Sequence, residues 1–352
     1  MVKNWIIASA LVSCSSCAIA QVLEPAWVRT SGRIVETLTG SWLATWPGVN
    51  WTVRFRGEAF GVRLSDSENH WVLEIDGHPS LHIAPLAGER TVWLRNLAPG
   101  EHTAQLVKRT ESPHQAAHIL GFELDGGTVL PPLPAPARRI EFIGDSYTAA
   151  MGNVSTSTVC NPAQISERTD ITQGFAVLTA RALNAEWQIH AKSGMGLVRN
   201  WGGGVRDENF GTHYARAIQS DPSSQPNSNW KPDTVIIGLG TNDFSTLITE
   251  GEPRNAAQLE TDFLQAYRAL LSSVRTRYGD PLIVLISLPL ARGDKLRPLV
   301  RRLLDEQHAA GYQRIHGLDW GVLRAGGCLS HPDAVDHRHM ADLLLNRLKE
   351  LR

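Results

Sequence analysis

Arg139-Ile140-Glu141-Phe142-Ile143-Gly144-Asp145-Ser146-Tyr147-Thr148 decides the fold of this chain. The run 140–143 is apolar but for one carboxylate, the pattern of a mostly buried strand. Gly-Asp-Ser ends it abruptly. Gly144 permits a tight backbone turn, and Asp145 or Ser146 suits the N-cap of a following helix. A serine there has an exposed hydroxyl near a helix N-terminus, where negative charge is favoured. The stretch alone fits two roles for Ser146, a nucleophile or a helix cap.

From residue 138 onward, strand and helix patterns alternate. Strands are predicted at 140–143, 186–190, 234–239, 282–288 and 314–318, and helices at 174–183, 256–278, 295–310 and 338–351. Phe263, Tyr267, Leu270, Leu271 and Val274 have the spacing of a helix face packed on a sheet, and Pro298 fits only a first helical turn. Such alternation implies a parallel sheet covered on both faces, with ligands at the carboxyl ends of the strands.

Upstream the pattern is different. Short runs rich in Val, Ile, Trp and Phe at 49–55, 60–64, 71–75, 91–94, 102–107 and 119–124 are separated by turn signals such as Asp76-Gly77 and Ala98-Pro99-Gly100. This spacing predicts a β-sandwich or jelly roll over 22–128. The tryptophans, concentrated before residue 100, are expected in its core, with a sugar-binding surface the alternative. Pro131-Pro132-Leu133-Pro134-Ala135-Pro136 marks 129–137 as a stiff connector, leaving 138–352 as the second domain.

The 352 residues carry a formal net charge of -1, which gives no electrostatic reason to expect nucleic acid or an anionic membrane surface as partner. Residues 1–20 have the form of an export signal: basic Lys3, an apolar run, then Ala18-Ile19-Ala20 before Gln21. Leu11-Val12-Ser13-Cys14 also reads as a lipobox, which would anchor the mature chain through Cys14. No stretch has the length of a membrane span. After cleavage at Ala20 only Cys160 and Cys328 remain. Export favours a disulfide between them, pinning the loop after the serine turn to the segment before His331; two free buried thiols are the alternative.

No Gly-x-Ser-x-Gly, Gly-x-Gly-x-x-Gly or Walker sequence follows a strand, so neither the common α/β-hydrolase elbow nor a nucleotide cofactor is expected. His331, His337 and His339 lack the Cys or carboxylate frame of a metal site, and no metal is expected. Four segments fall at strand ends or near the chain end: Gly144-Asp145-Ser146, Ser193-Gly194-Met195-Gly196, Gly240-Thr241-Asn242-Asp243 and His331-Pro332. They supply what acyl transfer needs: a hydroxyl, an imidazole, a glycine N–H and an amide donor. Singly, each is equally an ordinary loop.

In this order they resemble the blocks of the SGNH (GDSL-type) hydrolase superfamily over residues 138–352. Ser193-Gly194-Met195-Gly196-Leu197-Val198-Arg199-Asn200 and Gly327-Cys328-x-x-His331-Pro332-x-x-x-x-His337-x-x-Met340-Ala341 further resemble carbohydrate esterase family 2, which also carries a jelly-roll domain before its catalytic domain. The resemblance implies a flavodoxin-like three-layer α/β domain and removal of acetyl groups from xylan and related plant polysaccharides. It implies Ser146 as nucleophile, His331 as general base, and an oxyanion hole of the Ser146 N–H, the Gly194 N–H and the Asn242 side chain. Asp145 and Asp243 would hold loops, and His337 would bond a backbone carbonyl near the site.

The chain departs from the pattern at one place. The carboxylate expected two or three residues before the histidine is replaced by Leu329 and Cys328, and a frequent tryptophan by Ser330. The expectation is a Ser–His dyad with a backbone carbonyl fixing the tautomer. Asp319, Asp333 or Asp336 could instead supply a displaced acid. Two other readings stay open: another SGNH esterase, lipase or thioesterase, or a glycan-binding protein whose active site has decayed.

Overall fold

A computed structural model describes residues 20–112, 114–226 and 229–351. The export-signal and Cys14 readings therefore lie outside the described residues, but for Ala20.

The first part of the chain forms β1 (Gln21–Val22), β2 (Arg29–Ser31), β3 (Ile34–Glu36), β4 (Trp42–Ala44), β5 (Asn50–Arg56), β6 (Ala59–Asp66), β7 (Trp71–Ile75), β8 (His78–Ile83), β9 (Leu86–Arg95), β10 (Glu101–Lys108), β11 (Ala117–Leu124) and β12 (Thr128–Leu130). They make two antiparallel sheets, ordered β3-β4-β11-β6-β9 with β1 on β11, and β12-β5-β10-β7-β8 with β2 on β5. The inner faces meet in an aromatic core, where Trp42 of one sheet lies 6.5 Å from Trp51 of the other and Phe60 lies 5.0 Å from Phe55. This is a jelly-roll sandwich. Burying those rings drives its closure, each aromatic removing a large apolar area from water.

Strand β7 is buried along its whole length. Trp71, Leu73 and Ile75 face the sandwich core, while Val72 joins the core of the second half of the molecule. The outer face of that sheet is thus covered, and polar–apolar alternation fails there for that reason. The expected connector begins two residues later than the sequence suggests: Val129 and Leu130 pair with β5, and the proline run follows.

The second half contains β13 (Arg138–Gly144), β14 (Ala185–Ala191), β15 (Thr234–Gly238), β16 (Leu282–Ser287) and β17 (Ile315–Asp319), and α1 (Pro162–Glu167), α2 (Phe175–Ala182), α3 (Phe210–His213), α4 (Thr241–Phe244), α5 (Ala256–Tyr278), α6 (Leu296–Ala309) and α7 (Ala334–Glu350). The sheet runs β14-β13-β15-β16-β17, every pair parallel. Successive side chains alternate between two cores: Phe142, Ile236 and Val284 pack with α2 and α7, while Ile143, Ile237 and Leu285 pack with α5 and α6. The order reverses at β13, so the carboxyl ends of β14, β13 and β15 gather at the switch point, where ligands bind in open α/β sheets.

Polar contacts cross the boundary between the halves. Arg33 of the sandwich pairs with Glu141 of β13 at 3.6 Å, both side chains almost wholly buried. Glu141 also meets His190 Nδ1 at 2.6 Å and accepts from Tyr214 at 3.0 Å. Arg181 of α2 meets Glu74 of β7 at 2.7 Å.

Candidate active site

Gly144 closes β13, and a Cβ there would stand 2.0 Å from Thr148 Oγ1, so only glycine lets the chain fold back at once. The residues after it do not form the expected helix. They form successive turns, with Asp145 Oδ1 accepting the Tyr147 N–H at 3.0 Å and Met151 donating to Ser146 O at 3.0 Å. Ser146 is buried.

Its Oγ lies 2.9 Å from His331 Nε2, across 185 positions of chain. On the other side of the ring, Nδ1 lies 3.1 Å from the Cys328 carbonyl and 3.3 Å from the Leu329 carbonyl. Carbonyl oxygens only accept, so Nδ1 must carry the proton and Nε2 presents its lone pair to the serine. Burial pulls the His331 pKa below its usual 6.5, opposed in part by those carbonyls. The ring edge packs against Tyr147, 5.5 Å between centroids.

Among the described residues no carboxylate touches His331. Asp319 pairs with Arg297 at 3.2 Å. Asp333 caps α7, accepting from Val335 and Asp336 at 2.9 Å. Asp336 accepts the Arg324 and Ala325 N–H groups, both at 2.9 Å. The carbonyls are presented instead by a turn that puts Leu329 at φ 52° and Ser330 at φ 58°, two successive non-glycine residues in the left-handed region. That turn is held from outside: a disulfide joins Cys328 to Cys160, and Leu329 N–H donates to Thr158 O at 2.8 Å.

Gly194 follows β14 at φ +74°, with open space where a Cβ would stand; its backbone, not crowding, calls for glycine. Among the described residues no acceptor meets the Ser146 N–H or the Gly194 N–H. Asn242, which lies in the short helix α4 rather than a loop, reaches the same place, but its amide donates to Met195 O at 3.0 Å and to Asp145 Oδ2 at 3.3 Å. Asp243 clamps the neighbouring segment, accepting from Leu197, Val198 and Arg199 at 2.8 to 2.9 Å. Burial, with Asp243 and Glu111 nearby, raises the Asp145 pKa to about 7.

His337 and His339 do not join the site. His337 is buried and accepts the Phe175 N–H through Nδ1 at 3.2 Å, so it bonds a backbone donor rather than the carbonyl expected; His339 faces solvent. Two contributors were not singled out from the sequence. Glu111, from the sandwich, accepts the Ser193 N–H at 2.8 Å. The Trp201 backbone N–H donates to Gly194 O at 2.9 Å, while the Trp201 side chain is largely exposed. For the latter, a tryptophan followed by Gly202-Gly203-Gly204 was the available sign. A groove of about 590 Å³ separates the halves nearby, lined by Glu68, Glu111 and His114 on one side and Met151 and Ile165 on the other.

Residues 30–134 match the family model for the carbohydrate esterase 2 N-terminal domain, and 142–320 match the GDSL-like lipase/acylhydrolase family, a span that holds Ser146, Gly194 and Asn242. An acetylxylan esterase/glucomannan deacetylase of Cellvibrio japonicus is 30% identical over 98% of this chain and 96% of its own length. The chain belongs to carbohydrate esterase family 2. Family 2 members are carboxylic ester hydrolases, and this chain is one of them. The cellulase/esterase CelE of Acetivibrio thermocellus is 31% identical over 86% of this chain and 37% of that protein. A family two carbohydrate esterase from Clostridium thermocellum, solved in complex with cellohexaose, superposes with a TM-score of 0.82 at 29% identity, covering 92% of this chain and 98% of that one.

Proposed function

We propose that the protein is an exported esterase that removes O-acetyl groups from xylan or a related plant polysaccharide, through an acetyl-serine intermediate formed by a Ser146–His331 dyad. The observation that carries this reading is the 2.9 Å contact of Ser146 Oγ with His331 Nε2, in the one tautomer that the Cys328 and Leu329 carbonyls permit. His331 takes the Ser146 proton as Oγ attacks the acetyl carbonyl. The free N–H groups of Ser146 and Gly194 receive the developing oxyanion. Asn242 adds the hydrogen that otherwise reaches Asp145 over 3.3 Å. His331 returns the proton to the departing sugar oxygen, then activates water against the acetyl-enzyme. Ser146, His331, Gly194 and Asn242 are thus the residues assigned roles.

The substrate class is supported by the names of the relatives and by Trp201, whose exposed ring suits an apolar sugar face. Export is supported by residues 1–20, with anchoring at Cys14 the other outcome; the oxidised cysteine pair suits either. The test is acetate release from acetylated xylan, glucomannan and simple sugar acetates. The wild type should release acetate and Ser146→Ala should not, with its fold intact. Binding to these glycans without hydrolysis by the wild type would show a decayed site.

A further inference from the structure

We propose that Glu111, a residue of the β-sandwich, is a positioning residue for the oxyanion hole, holding the turn that presents the Gly194 N–H. The proposal rests on the acyl-transfer reading of Ser146.

The turn Lys192–Met195 is bonded at nearly every backbone polar group. Lys192 N–H donates to Gly144 O at 3.2 Å, and Met195 N–H to Lys192 O at 3.2 Å. Gly194 O accepts from Trp201, and Met195 O from Asn242. Of its N–H groups, that of Gly194 alone has no acceptor among the described residues. The Ser193 N–H, next in the chain, is taken by Glu111 Oε2 at 2.8 Å. Every other partner of the turn comes from the α/β half. Glu111 comes from the loop between β10 and β11, 82 positions away. Gly194 has left-handed backbone and open space around its Cβ position, so no side chain locks the peptide plane. The plane is set by its neighbours' hydrogen bonds, and Glu111 fixes the one immediately before it. Without that acceptor the Ser193 N–H would be left unmatched, and the 193–194 segment would be free to rotate the Gly194 N–H away from the reacting carbon.

The role needs an acceptor oxygen at this spot, not a negative charge. Burial raises the Glu111 pKa, and a carboxylate charge close to a developing oxyanion would oppose it. Glutamine keeps the acceptor at the same reach. Aspartate keeps the charge but draws the oxygen back by one methylene.

The experiment compares Glu111→Ala, Glu111→Gln and Glu111→Asp in the full chain on 4-nitrophenyl acetate, a substrate too small to need the sugar-binding surface, with Ser146→Ala in parallel. Glu111→Ala and Glu111→Asp should lower kcat at least about tenfold, with KM within about threefold, and Glu111→Gln should return kcat to within about threefold of wild type. If the alanine variant does not fold, the Gln–Asp contrast alone decides. Equal kcat in all three variants, or Asp retaining activity that Gln loses, would overturn the role. Turnover by Ser146→Ala would instead overturn the acyl-enzyme reading itself.

Discussion

The carbonyl oxygen of Cys328 stands 3.1 Å from His331 Nδ1, where a serine hydrolase of the triad type has its carboxylate. A neutral dipole replaces a charge. It fixes the tautomer as a carboxylate would but stabilises the imidazolium less, so the site depends on how rigidly that carbonyl is held.

If no acid serves His331, removing a displaced candidate that holds no helix or loop must be harmless. Asp319→Asn should leave kcat within about twofold of wild type on an acetyl ester. A fall of about a thousandfold would identify Asp319 as the missing member.

The disulfide that holds Cys328 spans 168 positions. Cys160→Ser/Cys328→Ser should lose up to about 5 kcal/mol of stability from loop entropy alone, read by denaturant unfolding. In the variant still folded, kcat should fall while KM changes little, because the His331 acceptors are no longer fixed. Undiminished kcat would show that the turn holds itself.

The general base must be neutral to accept the serine proton, and burial lowers the His331 pKa below 6.5. Activity therefore rises with pH through a value below 6.5 and is retained into mildly acid solution. The acid limb of kcat/KM measures it. A limb centred above 6.5 would mean that an unseen carboxylate raises the base.

Trp201→Ala should raise KM for acetylated xylan about fivefold, equivalent to about 1 kcal/mol of stacking, and leave 4-nitrophenyl acetate nearly untouched. Equal losses on both substrates would show that the indole does not act through the sugar.

Arg33→Ala leaves the buried Glu141 short of its cation. It should destabilise the whole protein by about 3 kcal/mol or more in urea unfolding. A smaller loss would show that His190 and the tyrosines satisfy Glu141 unaided.

What was legible in the sequence was local. The run 140–143 reads as a strand because it is apolar at every position but Glu141. Helix 256–278 reads to the residue because Asn255 caps it and Gly279 ends it. The site's four blocks are visible because glycine, serine, asparagine and histidine are informative at strand ends. What stayed hidden was set by distant contacts. The turn after Ser146 has helix-like composition but follows the needs of Asp145 and Thr148. The short strand β8 is mostly exposed and shows no alternation. Neither Glu111 nor Arg33 differs locally from a solvated surface charge; only the packing of one half on the other buries them. The carbonyls beside His331 leave no residue-type signature, since any amino acid carries one.

The ionic seam formed by Arg33 with Glu141 and Arg181 with Glu74 bears on how such proteins could be recombined. Severing the chain at its prolines would strip cations from two deeply enclosed acids, so neither piece is a ready-made cassette. Melting should proceed as a single cooperative event, and productive shuffling would have to exchange both partners of each ion pair together.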